Sequence, residues 1–118
     1  MPFYDVNELH EIPLVNGITL TAIYGEKVSV SFLNLPPLSR LPIHHHVNEQ
    51  VGIVLDGEIE YTIGEETRIC GKGMAFVIPP NVPHSLVVVS ERPAKLADIF
   101  TPPRKITEPL KYLEERKE

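Results

Sequence analysis

Four side chains in two stretches of the sequence have the chemistry of a transition-metal site. Three consecutive histidines occupy positions 44–46, Gln50 follows after a short loop, and His84 opens a later apolar stretch. Successive side chains of an extended strand point to opposite faces, so His44 and His46 share one face while His45 takes the other. Neutral imidazole is a suitable ligand for zinc, copper, iron and nickel. The sequence therefore predicts a site for one divalent transition-metal ion with the ligands His44, His46, Gln50 and His84.

The sequence alone determines neither the fourth ligand nor the identity of the metal. Glu49 would coordinate in place of Gln50 if the loop register shifted by one residue. Three imidazoles and an amide are uncharged, so a bound ion would keep its full positive charge and act as a strong Lewis acid. Sites of nitrogen and oxygen ligands accept nickel, zinc, iron, manganese or cobalt, which leaves the metal undetermined. A polar histidine loop without a metal is the competing interpretation.

The spacing around the histidines resembles a motif of a known family. That motif runs from a glycine to His-x-His, then to a glutamate and a second glycine, and His44, His46 and Gly57 match it here. Gln50 stands where the family usually has the glutamate. The substitution removes a charge from the ligand set, but it keeps an oxygen atom at the same place in the motif.

A second motif of the same family follows at Gly73, Pro79 and His84. Asn81 replaces a glycine of that motif, and asparagine is the best substitute where a turn needs a positive φ. Val88 stands at the position of the family's final asparagine. Together the two motifs resemble those of the cupin superfamily. The resemblance implies an all-β fold, the double-stranded β-helix or jelly-roll barrel of small single-domain cupins.

The pattern of apolar residues agrees with an all-β chain. Short apolar segments alternate with turn signals, as in β-sandwiches and barrels. Residues 14–24 and 27–33 are predicted to form a hairpin. In its second strand, valine and phenylalanine alternate with Ser29 and Ser31, which is the period of a half-buried strand.

Two more hairpins and one special glycine are predicted further along. The Asp56-Gly57 pair is a strong hairpin signal, because a type I′ turn needs positive φ at both central residues. Residues 84–90 and 94–100 are predicted to form the last hairpin. Gly52, on the same strand face as Gln50, is predicted to keep the cavity floor beside the metal clear, or else to mark a bulge.

A chain of 118 residues is long enough for one domain. We predict an N-terminal arm over residues 1–13, a barrel over residues 14–101, and a tail over residues 102–118 that holds a short helix capped by Thr107. A small barrel exposes edge strands, and the arm is suited to adding to a neighbour's sheet. A homodimer is therefore expected.

Composition and charge exclude several classes of partner. The formal net charge of -5 and the pI near 5.5 argue against nucleic acid, since no basic stripe is present. No apolar run approaches the ~20 residues of a membrane span. The first residues lack the pattern of a secretory signal, and the lone Cys70 agrees with a reducing compartment. We expect a cytoplasmic protein with a small-molecule partner.

A second set of reactive side chains lies near the end of the predicted barrel. Strand parity places Asp98 and Phe100 on one face, and two prolines carry Arg104 round a stiff corner. A salt bridge between Asp98 and Arg104 that fastens the tail is the structural interpretation. In the functional interpretation, Asp98 transfers a proton, Arg104 binds a carboxylate and Phe100 forms a wall against a sugar ring.

This second set, together with the two motifs, resembles the pectin-degradation cupins that linearise 4,5-unsaturated uronates. The resemblance implies that the metal ligands are His44, His46, Gln50 and His84. It implies that the substrate contacts are Asp98, Phe100 and Arg104. It also implies an isomerase-like or lyase-like enzyme that opens the ring of a sugar acid with the help of the metal. The alternatives are a metal-dependent dioxygenase, a sugar isomerase, or a non-catalytic small-molecule-binding cupin, because fold does not determine function.

Overall fold

The structure, a computed structural model, describes residues 2–105. Within this range, a 3-10 helix at Val6–Glu8 is followed by ten strands. The strands are β1 (Ile12–Pro13), β2 (Thr19–Tyr24), β3 (Ser29–Leu35), β4 (Arg40–His44), β5 (Glu49–Asp56), β6 (Glu58–Ile63), β7 (Glu66–Gly71), β8 (Ala75–Ile78), β9 (His84–Val88) and β10 (Ala94–Thr101).

The strands form two antiparallel sheets. One has six strands in the order β1-β2-β3-β10-β5-β8, and the other has four in the order β4-β9-β6-β7. Strands that are neighbours in a sheet are mostly distant in sequence, as is usual in a jelly roll, where the chain passes repeatedly from one sheet to the other. The predicted all-β jelly-roll barrel is confirmed.

One apolar core fills the space between the sheets. Strand β5 shows how the sequence produces it, because Gln50, Gly52 and Val54 are buried while Glu49 and Leu55 on the opposite face are exposed. Each large apolar side chain that is fully buried contributes about 1.5–3 kcal/mol of transfer free energy. The core includes Ile18, Leu20, Leu33, Leu35, Leu41, Val54, Ile59, Ile78, Leu86, Val88 and Leu96. It forms a rigid base below the end of the barrel that holds the histidines.

Two of the predicted hairpins are wrong, although their turns exist. Strands β5 and β6, on either side of Asp56-Gly57, lie in different sheets, and so do β9 and β10. Gly57 has a φ of 80°, but Asp56 is not among the residues with positive φ, so the turn is not of type I′. A Cβ atom on Gly57 would lie 2.7 Å from the Cα atom of Ala94. Gly57 thus forms a tight corner that carries the chain to the other sheet.

The first predicted hairpin is confirmed, but on its second strand the polar side chains face the interior and the apolar ones face outward. Strands β2 and β3 pair in register across the turn that follows Tyr24. On β3 the serines face the interior, Ser29 and Ser31 each being 1% exposed, whereas Val30 and Phe32 face outward and are half-buried. Polar side chains therefore line the interior at this level of the barrel.

The N-terminal end of the chain joins the edge of a sheet. Strand β1, at the end of the range predicted to form an N-terminal arm, pairs with β2 of the same chain at the edge of the larger sheet. The predicted helix beginning at Thr107 lies outside the described residues. No helix within residues 2–105 is long and apolar enough to cross a membrane.

Candidate functional site

The three candidate histidines meet at one end of the barrel. His44 is the last residue of β4, His84 is the first of β9, and the two are register partners. The ring centroids of His44 and His84 are 4.3 Å apart, those of His46 and His84 4.9 Å, and those of His44 and His46 5.9 Å. One nitrogen atom of each ring lies within 4.8 Å of those of the other two. Such a group of ring nitrogens can share one ion.

The turn before His84 fixes two of these histidines relative to each other. Asn81 has a φ of 66°, as predicted for the residue that replaces a glycine of the second motif. Its backbone N–H donates a hydrogen bond to the carbonyl oxygen of His46 at 2.7 Å. The backbone of one motif is therefore bonded directly to that of the other, which holds His46 although it lies beyond the end of β4.

A backbone carbonyl sets the tautomer of each ring. The contacts of the Nδ1 atoms are 2.9 Å from His44 to the oxygen of Pro42, 3.1 Å from His46 to that of Asn48, and 2.8 Å from His84 to that of Val82. A carbonyl oxygen only accepts, so Nδ1 must carry the proton in each ring. A neutral ring then has a lone pair on Nε2, which is the usual arrangement of metal-binding histidines.

Two of the three Nε2 atoms, those of His46 and His84, have no donor facing them among the described residues. The Nε2 atom of His84 is buried and has no hydrogen-bond partner among the described residues. The Nε2 atom of His46 lies 3.1 Å from Oε1 of Gln50, so that two acceptors face each other. Two ligands of one ion, with bonds of about 2.1 Å, lie about 3.0–3.4 Å apart. The donor set fits a cation between these atoms.

Burial keeps the three rings neutral. It lowers the pKa of His44 to about 3 and that of His46 to about 4, and nearby positive charge adds to the effect. Burial lowers the pKa of His84 as well. At neutral pH the three rings are therefore uncharged, which is the form that binds a metal without first losing a proton.

Strand parity separates the two candidates for the fourth ligand. Gln50 is 3% exposed and points to the histidines, whereas Glu49 lies on the outward face of β5 and is exposed. His45 is exposed too, as its position between His44 and His46 predicts. The geometry thus places the Gln50 amide, and not the Glu49 carboxylate, beside the cluster.

The structure also brings Phe100 and Arg104 to the histidines. Phe100 is buried on the inward face of β10, and its ring centroid lies 5.5 Å from that of His46 in an edge-on arrangement. The guanidinium carbon of Arg104 lies 5.6 Å from the Phe100 ring centroid. The backbone N–H of Arg104 donates to the hydroxyl of Ser29 at 3.0 Å, which holds the chain after β10 against β3. The positively charged Arg104 side chain and the Phe100 ring therefore lie beside the histidine cluster.

Asp98 lies one level deeper in the barrel. It faces inward on β10, two residues before Phe100, and is 4% exposed. Burial raises the pKa of Asp98 to about 7, while hydrogen bonding to the Gln50 side chain and the charge of Arg104 act in the opposite direction. A carboxyl group with a pKa near neutrality can both accept and donate a proton, which is what general acid–base catalysis requires.

Three further residues of the site were not predicted from the sequence. The side chain of Asn48 donates to the carbonyl oxygens of Pro102, at 2.6 Å, and Pro103, at 3.4 Å, and so fixes the corner before Arg104. Tyr61 is buried among the site residues, and burial raises the pKa of its hydroxyl well above the usual value. Ser31 lines the interior beside Asp98. Only Ser31 had a sequence signal, the alternation of β3, and that signal does not reveal which face is buried.

A small cavity lies between these groups. Its volume is about 20 Å³, and its walls include Ser31, His44, Gln50, Asp98 and Arg104. A space of this size accommodates one water molecule but not a sugar acid. A sugar acid would therefore have to bind beside this cavity, where Phe100 and Arg104 form part of the wall.

Comparisons with known proteins agree with this fold. The cupin domain family matches residues 31–100, a range that contains the histidines and Asp98. The H2HPP isomerase of Bacillus subtilis is 29% identical over 97 residues, which is 75% of this chain and 41% of that protein, so the chain spans less than half of this relative.

Solved structures show the same architecture. KdgF from Halomonas sp. superposes with a TM-score of 0.81 at 24% identity, covering 88% of this chain and 96% of that one. An RmlC-like cupin from Shewanella frigidimarina also reaches 0.81, at 20% identity, covering 89% of this chain and 94% of that one. The family match covers more than half of the chain and includes both histidine motifs. This chain belongs to the cupin domain family.

Proposed function

We propose that this chain is a metal-dependent enzyme that converts 4,5-unsaturated uronates into their open-chain 4-deoxy-5-keto form. The observation that carries the proposal is the buried carboxyl group of Asp98, linked through Gln50 to the histidine cluster and flanked by Phe100 and Arg104. The motif resemblance to the pectin-degradation cupins supports the same class of substrate.

The proposed metal ligands are the Nε2 atoms of three histidines and one amide oxygen, from His44, His46, His84 and Gln50. When bound, a divalent ion supplies a Lewis acid that attracts and polarises an anionic oxygen of the substrate. Nickel, zinc, iron, manganese and cobalt all suit this donor set. Because the four protein ligands carry no charge, the site would favour an anionic substrate.

Arg104 and Phe100 are the proposed binding groups for the sugar acid. The chain carries a formal net charge of -5, so an anionic substrate needs a local positive charge. The planar guanidinium of Arg104 can bind a carboxylate with two parallel hydrogen bonds. The Phe100 ring, between Arg104 and His46, offers an apolar surface to one side of the sugar ring. These contacts would orient the double bond toward Asp98.

The proposed reaction is a hydration followed by ring opening. Water adds across the double bond, with its hydroxyl on C5 and a proton on C4. The bond between C5 and the ring oxygen then breaks, and the proton of the C5 hydroxyl passes to the ring oxygen. A ketone forms at C5, and C1, left as an aldehyde hydrate, releases one water. Asp98 is the proposed group that moves the proton between the attacking water and C4, a role typically worth ~10² to 10⁴ in rate.

Substrate and product of this reaction are isomers, because the water that adds is later released. The name of the Bacillus subtilis relative, H2HPP isomerase, supports an isomerisation as the reaction type. The single free cysteine agrees with a reducing compartment, and a cytoplasmic location is part of the proposal.

The test is turnover of an unsaturated uronate monomer by the metal-loaded protein, followed by loss of its double-bond absorbance. Asp98→Asn should lower kcat ~10² to 10⁴-fold while the metal content stays the same. Glu58→Gln, which changes an exposed carboxylate on β6, is the matched control and should keep full activity. Unchanged turnover in Asp98→Asn would contradict the proposed role. Oxygen consumption with iron would indicate a dioxygenase instead, and binding without turnover would indicate a binding module.

We also propose that two copies associate through the outward face of the six-stranded sheet. One row across this face contains Val30, Ile99, Val51 and Val77, and the next contains Phe32, Ala97, Ile53 and Ala75. Val77 is 55% exposed and Leu55 beside these rows 43%. Contiguous apolar surface of this kind is typical of interfaces between subunits.

A further inference from the structure

Ser31 and Asp98 are two polar side chains that face each other inside the barrel. They are register partners on β3 and β10, and their exposed fractions are 1% and 4%. Directly opposite residues on one face of an antiparallel pair have Cβ atoms about 4.5–5.5 Å apart. The hydroxyl of Ser31 and Oδ1 of Asp98 nevertheless have no hydrogen-bond partner among the described residues. Buried polar atoms are costly unless something satisfies them, so a ligand between these two is expected.

The space beside these two atoms has the size of one water molecule. Both side chains line the cavity of about 20 Å³ below the histidine cluster. A buried water needs roughly 10–15 Å³ and two to four polar partners. Ser31 and Asp98 supply two partners, and Tyr61 and Gln50 in the same wall can supply more. An organic ligand does not fit this space.

Part of the cavity wall is apolar. Leu20, Leu33 and Leu41 form part of its wall. On the side of β8, the Phe76 ring lies over Gly52 and packs on Tyr61, with ring centroids 4.3 Å apart. The polar groups available to a water in this cavity are therefore few and can be named.

We propose that Ser31 and Asp98 hold the water that reacts in the hydration step. The Ser31 hydroxyl donates to the water oxygen, and the water donates one hydrogen to Oδ1 of Asp98. The second lone pair of the water oxygen stays available for C5 of the substrate. As the new C–O bond forms, the hydrogen shared with Asp98 passes to its carboxylate, and the same group delivers a proton to C4, so Asp98 ends the step in the state in which it began. Ser31 is a positioning residue in this scheme, since it touches the water and not the sugar.

The site of the water rests on geometry, while its role rests on the proposed function. A high-resolution crystal structure of the metal-loaded protein without substrate should show a water about 2.6–3.2 Å from both Ser31 Oγ and Asp98 Oδ1. In Ser31→Ala this water should be displaced or absent. A wild-type site without that water would overturn the inference.

Kinetics of Ser31→Ala test the role. We expect kcat to fall ~10²-fold with KM within about twofold, because misplacing a reacting group slows the chemical step without weakening contacts to the sugar. Ser39→Ala is the matched control, since Ser39 is also buried but donates to the carbonyl oxygen of Pro36 at 2.7 Å, in the loop before β4. This variant should keep kcat. An unchanged kcat in Ser31→Ala would overturn the role.

A third readout needs no substrate. Removing a hydroxyl that holds a water should lower the Tm of the metal-free protein, whereas removing an unsatisfied buried hydroxyl would raise it. A higher Tm for Ser31→Ala would therefore count against the water site.

If the water is present and no uronate reacts, the proposed function fails and the water site stands. If uronates react and the site is dry, the inference fails and the proposed function stands.

Discussion

Asp98 and Gly52 lie opposite each other on β10 and β5, and a Cβ atom on Gly52 would come within 2.8 Å of Oδ1 of Asp98. The same atom would overlap the Phe76 ring. From the sequence, Gly52 was predicted either to keep the cavity floor clear beside the metal or to mark a bulge. In the structure, the room that Gly52 leaves is occupied by the Phe76 ring and the Asp98 carboxyl group. Gly52 is thus the residue that allows a buried acid and an aromatic ring to lie side by side.

Gly52→Ala should therefore destabilise the protein. The added methyl group would displace Phe76 or Asp98, and overpacking of this kind costs about 1–3 kcal/mol in the free energy of unfolding. Urea denaturation of the metal-free protein measures the change. Gly71→Ala is the matched control, because no atom lies within 4 Å of a Cβ atom at that position. Equal stability of the two variants would contradict this account of Gly52.

His84→Ala should abolish tight binding of one divalent ion, because it removes one of three converging imidazoles and leaves an incomplete site. We expect a loss in affinity of at least ~10²-fold. Loss of a residue that only supports a ligand already costs ~10- to 100-fold, and loss of a ligand should cost more. Isothermal titration with nickel and zinc, together with elemental analysis, measures it. His45→Ala, which changes the exposed histidine of the same run, should bind as the wild type does. Loss of binding in both variants would contradict the ligand set.

The metal-free protein should lose stability as the pH falls from 6.5 toward 4. The folded-state pKa is about 3 for His44 and about 4 for His46, against 6.5 in the unfolded chain, and that of His84 is lowered too. The unfolded chain therefore binds more protons in this window, and each ring contributes stability that is present above pH 6.5 and lost as the pH falls. We expect a loss on the order of 1–3 kcal/mol between pH 7 and 5, less than full burial would give because solvent screens half-buried His46.

Asp98 opposes this trend with the reverse sign. Its pKa is raised from 3.8 to about 7, so its contribution is present below pH 3.8 and lost as the pH rises through 7. Three histidines outnumber this one carboxyl group, so the net effect of acid is destabilising. Urea denaturation at several pH values measures the slope. Asp98→Asn should steepen it and His44→Gln should flatten it, and a slope that neither variant changes would contradict these assignments.

Val77→Lys should shift the protein from dimer to monomer. Val77 lies on the outward face of the six-stranded sheet and is 55% exposed, and a lysine there would place a charge inside the proposed apolar interface. Sedimentation velocity measures the oligomeric state. Ile69→Lys is the matched control, because Ile69 is 53% exposed on β7 of the other sheet. A wild-type protein that sediments as a monomer, or a dimer that only Ile69→Lys disrupts, would contradict the proposed interface.

Local periodicity was enough to predict which side chains face the site. The alternation of a strand has period two, so His44 and His46 point inward and His45 outward whatever the neighbouring strands are. The same rule placed Asp98 with Phe100, but it left Gln50 and Glu49 as alternatives, because a loop separates them from the histidines. The turn at Asn81 was predictable as well, because few residues other than glycine adopt a positive φ readily.

Partners across the sheets could not be predicted in this way. The Asp56-Gly57 pair signals a tight turn, but the sequence does not tell whether the next strand pairs with the last or crosses to the other sheet. The interior position of Ser31 was hidden for a related reason, since its apolar neighbours on β3 could equally have faced the core. The Asn48 side chain donates hydrogen bonds to the carbonyl oxygens of two prolines that lie 54 and 55 residues later in the sequence. No local sequence pattern predicts a contact over such a distance.

Three of the four proposed ligands lie on strands of the two sheets, His44 and His84 on the smaller one and Gln50 on the larger. The fourth, His46, lies in the loop between β4 and β5. The complete ligand set therefore forms only when the two sheets have packed on each other. An ion at a free concentration of 100 times its Kd would then stabilise the native chain by about 2.7 kcal/mol. Chelation would remove this stabilisation of the native chain. During refolding, the rate of metal uptake would report the rate at which the two sheets come together.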